Sequence, residues 1–116
     1  MKVLTTLSPI SQPIAEVPGT VTAWDLTASP VLHPSSALAI GASTIALSNP
    51  IAGSTSTMTF LTNAYVVIFS LTGVAFVQTG TNVLSSGTIG LSTTPGKYYK
   101  ASLFWVSTTG CFVTLQ

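Results

Sequence analysis

The sequence predicts an all-β domain, an antiparallel sandwich or jelly-roll-like fold with an extended N-terminal arm. Three observations predict it. Ser and Thr supply 34 of the 116 residues, against three Asn and three Gln. Small hydroxylated residues with Val and Gly suit packed sheets and make poor solvated helices. Short apolar runs, several of them alternating, are set off by Gly, Pro, Asn and Ser clusters at close spacing, as in sandwiches and barrels. With 47% of residues apolar, a chain of this length can build one core, and disorder is excluded by high hydrophobicity with little charge.

Taken in order, residues 1–19 read as an arm punctuated by Pro9, Pro13 and Pro18-Gly19, with residues 20–116 as the sandwich domain. Proline removes a backbone donor and pushes its predecessor towards extended geometry. The same prolines interrupt the apolar stretch after Lys2, so no cleaved signal is read. Thr20 to Leu26 alternates as a strand. Ser29-Pro30 and His33-Pro34-Ser-Ser bracket a loop, and Ala37 to Leu47 gives one strand or two short ones. Ser48-Asn-Pro50 and Ala52-Gly-Ser-Thr are turns.

Phe60 to Val77 is 18 residues without a charge, long enough to test as a membrane helix. Asn63, Ser70, Thr72 and Gly73 interrupt it, its apolar residues are mainly strand formers, and no basic flank orients it. It reads instead as a buried hairpin turning at Ser70-Leu-Thr-Gly73. Val83-Leu84 and Thr88 to Leu91 are short strands. Thr94-Pro95-Gly96 is a turn. Lys97 to Ser107 is the longest strand, and Thr108-Thr-Gly110 folds it back onto Cys111 to Leu115. On the Lys97 strand, Tyr99, Ala101, Leu103 and Trp105 share one face. Tyr98, Lys100, Phe104 and Val106 share the other, so both faces become apolar near the strand end.

Charge bounds the function. The chain has three Lys, no Arg, one Asp and one Glu, which is 4% charged. Typical domains carry about 25%. From Leu26 to Gly96 (96 − 26 + 1 = 71 residues) no side chain is charged while His33 is neutral. A solitary soluble surface needs charge for hydration and repulsion, so this one calls for cover. Nucleic acid is excluded as a partner by the missing basic patch.

Catalytic chemistry is short of groups. General acid–base work needs positioned titratable side chains, and Glu16 and Asp25 stand with no third carboxylate. His33 and Cys111 lack a surrounding nucleophile signature, and one His with one Cys does not make a zinc site. The reading is therefore no enzyme, no metal and no cofactor. Cys111 reads as a small buried hydrophobe. Trp24, Tyr65, Tyr98, Tyr99 and Trp105 could stack on sugars, which keeps a glycan as a candidate ligand, although the two Trp read first as core.

The uncharged Ser/Thr/Gly/Val-rich body, the proline-marked arm and the closing hairpin KYYKASLFWVSTTGCFVTLQ resemble, in overall character, the small β-structured accessory proteins of tailed-phage particles. That resemblance implies a non-enzymatic, high-copy virion protein: a decoration or cement protein, a minor capsid protein, or a head-fibre or tail component. Its partners would be copies of itself and a larger shell or fibre, and the membrane is disfavoured. Interface candidates are Pro9, Ile10, Pro13 and Ile14 in the arm, and Tyr98, Tyr99, Phe104 and Trp105 in the closing hairpin. The alternatives are an extracellular filament subunit or glycan-binding adhesin domain at the cell surface, and thirdly a small membrane protein.

Overall fold

Strand follows strand throughout the computed structural model, which describes residues 15–17, 22–28, 30–34, 37–82 and 84–116. The elements are β1 Ala15–Val17, β2 Ala23–Asp25, β3 Val31–Pro34, β4 Leu38–Ser48, β5 Thr55–Gln78, β6 Leu84–Ser92, β7 Lys97–Ser107 and β8 Gly110–Leu115. Among the described residues there is no helix, and none long and apolar enough to cross a membrane. The all-β expectation holds. Among the described residues, all eight strands belong to one open sheet.

Pairing is mixed, which corrects the antiparallel expectation. Five of the strand pairings are parallel: β1–β3, β2–β4, β3–β5, β4–β5 and β5–β8. Three are antiparallel: β5–β6, β5–β7 and β7–β8. The physical reason is β5, a strand of 24 residues. Its first part runs between β3 and β7, its middle between β4 and β6, and its end between β8 and β6. Ser56 pairs Leu103, Leu103 pairs Val113, and Val113 pairs Gln78. Two points on one strand, 78 − 56 = 22 residues apart, thus stand in the same row with β7 and β8 between them. At about 3.3 Å per residue the chain travels roughly 70 Å to come back beside itself. β5 therefore winds around the core, and the hairpin β7–β8 fills the gap between its two ends.

Winding requires the inward face to be reset, and the burial pattern shows where. Along β5 the buried residues are 56, 58, 60, 62 and 64, then 67 and 69, then 74 and 76. Each switch between even and odd marks extra residues that bend the strand, as bulges do. The first lies between Ala64 and Val66 and faces Gly41 of β4, whose φ is 96°. The second lies between Ser70 and Ala75 and contains Gly73, φ 86°. The turn expected at Ser70–Gly73 is this second bulge; the chain bends there and continues. Hydroxyl groups complete the first bend. The Ala64 N–H donates to Thr62 Oγ1 at 2.8 Å, the Thr93 hydroxyl donates to the Ala64 carbonyl at 2.7 Å, and the Thr93 N–H donates to the Tyr65 carbonyl at 2.9 Å. A buried backbone amide left unpaired would cost about 1–3 kcal/mol, and the Ser/Thr-rich composition supplies the partners.

The buried face forms one cluster. Trp24, Leu38, Ile45, Met58, Phe60, Val67, Phe69, Phe76, Leu91, Leu103, Trp105 and Val113 are its largest members. Trp24 tilts against Phe69, and Phe76 meets Trp105 edge-on with centroids 6.1 Å apart. The arm expected over 1–19 contributes β1, paired with Leu32–Pro34 through β3. Pro9, Ile10, Pro13 and Ile14 lie outside the described residues.

Candidate interaction surface

Asp25, His33 and Cys111 are tied into the fold. Asp25 Oδ1, at the end of β2, accepts from the Thr27 N–H (3.1 Å), the Thr27 hydroxyl (2.8 Å) and Asn49 Nδ2 (3.1 Å). The Thr27 and Asn49 side chains lead in holding its carboxyl below the ordinary value. These bonds join the ends of two paired strands, which is an anchoring role. His33 Nδ1 lies 2.9 Å from the Thr59 carbonyl oxygen and 3.0 Å from its hydroxyl. Nδ1 donates to the carbonyl in the tautomer that protonates it and accepts from the hydroxyl in the other, and either way the ring is tied to β5. Cys111 is a buried free thiol, and burial pushes its pKa up to about 12. Thiolate is the reactive form, so this sulfur serves packing. Among the described residues no three of His, Cys, Asp and Glu come together, and no cavity opens.

The closing hairpin carries the surface feature. As expected from its alternation, β7 buries Ala101, Leu103 and Trp105 with Tyr99 half-buried, while Tyr98, Lys100, Phe104 and Val106 face out. Tyr99 stacks on Phe60, and its hydroxyl accepts the Thr94 N–H at 2.8 Å. It steadies the turn before β7. Trp105 is fully buried and leaves the set of surface candidates, as does Trp24 for sugar stacking. The Trp105 indole N–H has no acceptor, the one buried side-chain polar atom so placed among the described residues. Tyr98 (72% exposed) and Phe104 (45%) are on the outside, and Tyr65 is also exposed.

Phe104 belongs to a row that the sequence shows only in part. Across the sheet Thr55 pairs Phe104, Phe104 pairs Phe112, Phe112 pairs Val77, and Val77 pairs Leu84. These residues point outward on five successive strand segments. Phe112 is 42% and Leu84 67% exposed, and Val106 is exposed beside them on β7. Four apolar side chains thus stand in line on the outer face with no charged residue among them. The alternation of β7 and β8 signalled the two Phe. The return of β5 beside β8, which brings in Val77 and Leu84, has no local signal.

No protein family, curated protein or solved structure matches the chain.

Proposed function

We propose that this protein is a non-catalytic structural component of a virion that packs into a symmetric assembly. The observation that carries the reading is the outward apolar row Phe104–Phe112–Val77–Leu84 on a body almost free of charge. A contiguous apolar patch marks a contact site, and a surface with so little charge has little to oppose association. The absence of catalysis is supported by the engagement of Asp25, His33 and Cys111 in structural bonds or packing. The virion setting is supported by the resemblance in overall character to tailed-phage accessory proteins. Partners are then copies of the chain and a larger shell or fibre.

The second reading, a glycan-binding adhesin or filament subunit at the cell surface, is favoured by exposed Tyr98 and Tyr65. The two separate by experiment. Negative-stain electron microscopy of the purified chain should show regular oligomers, and a glycan array should retain none of it. Dispersed monomers that bind glycan would replace the structural reading with the adhesin one.

A further inference from the structure

The sheet is open, and its free edges are unequal. Among the described residues the outer edges of β1, β2 and β6 pair with nothing. β1 and β2 are three residues each, and they contain Glu16 and Asp25, the only two carboxylate side chains in the chain. Short length and charge are the usual means of blunting a sheet edge. β6, Leu84-Ser-Ser-Gly-Thr-Ile-Gly-Leu-Ser92, is nine residues with neither charge nor proline. Gly87, at φ 79°, kinks it, which leaves Thr88 to Ser92 as the regular stretch paired with Val66 to Ser70.

From this asymmetry we infer that the outer edge of β6 pairs antiparallel with β6 of a second copy, about a two-fold axis at Gly90. The inference rests on the assembly reading above. The hydrogen-bond phase gives the register. The Thr93 N–H donates inward to the Tyr65 carbonyl. In an antiparallel ladder the inward residues alternate, so Leu91 and Ile89 also bond to β5, and Thr88, Gly90 and Ser92 turn their N–H and C=O groups outward. Three outward residues centred on Gly90 match their own copy: Gly90 against Gly90, and Thr88 against Ser92 in both directions. A second copy meets no charge at this edge, whereas docking β6 on β1 or β2 would bring it against an acidic strand. Self-pairing also closes as a dimer, because a two-fold contact uses the same patch on both subunits. The dimer extends the sheet, and Leu84 brings the apolar row to the same edge.

Thr88 and Ser92 are exposed, so charges there leave the core of one chain alone. Sedimentation velocity on the full chain compares the wild type, Thr88→Lys with Ser92→Lys, and Thr88→Lys with Ser92→Glu, each checked for a β-type circular dichroism spectrum. The wild type should sediment as an oligomer. The Lys/Lys variant should fall to half its mass, since Lys faces Lys across the axis. The Lys/Glu variant, which sets Lys against Glu twice, should return to the wild-type mass. Should the Lys/Lys chain not fold, the Lys/Glu variant decides by its mass alone. A wild-type oligomer that Lys/Lys leaves unchanged overturns the β6 pairing and leaves the assembly reading standing. A Lys/Glu variant that folds yet stays at half mass also overturns it. A monomeric wild type overturns both.

Discussion

Trp105 and Phe104 are neighbours in sequence with opposite fates, and strand alternation assigns them. Trp105 faces the core against Phe76, while Phe104 faces out against Phe112. Trp105→Ala should cost about 3–5 kcal/mol, the range for emptying a large aromatic site. Trp105→Phe should cost clearly less. Its indole N–H has no acceptor among the described residues, so losing it removes a desolvation penalty that offsets part of the lost packing. Chemical denaturation of the two variants gives the comparison, and equal costs would mean that the N–H matters to the fold. The faces of β7 were legible in the sequence because alternation is a local signal. So was the burial of Cys111, a residue type that usually packs as a small hydrophobe.

β5 sets the architecture at the element scale, and it is where sequence reading went furthest astray. Ser70-Leu-Thr-Gly73 has the composition of a hairpin turn, and glycine at positive φ serves a turn and a bulge alike. Local residues therefore cannot distinguish a strand that reverses from one that bends. The deciding interaction is distant: β8, far along the chain, pairs with residues 75–78 and holds the strand on its course. The parallel pairings were hidden for the same reason, since their registers join segments far apart in sequence. The hairpin β7–β8 was legible because its strands are adjacent and joined by the short polar turn Thr108-Thr109. The bend makes its own demand. Gly73 holds φ 86° with open space where a side chain would stand, so Gly73→Val should destabilise through backbone strain alone, by about 1–2 kcal/mol. The substitution Thr72→Val, beside it and exposed, should leave the thermal midpoint nearly unchanged. A Gly73→Val midpoint equal to the wild type would place the bend elsewhere.

For the whole molecule, the winding of β5 has one consequence for the interior and another for the exterior. It encloses a single core, and it brings Val77 and Leu84 into line with Phe104 and Phe112 on the outer face. The scarcity of charge was visible from composition, and it pointed to a covered surface. Which residues form that surface was not visible, because a row across five strand segments exists only once the strands are in register. We propose that this face is buried in an assembly. Sedimentation velocity across a concentration series, on the wild type and on Phe104→Ser with Phe112→Ser, tests it most directly. The wild type should form an oligomer that persists on dilution, and the double variant should stay folded at a lower mass. A wild type that stays monomeric at every concentration would contradict it.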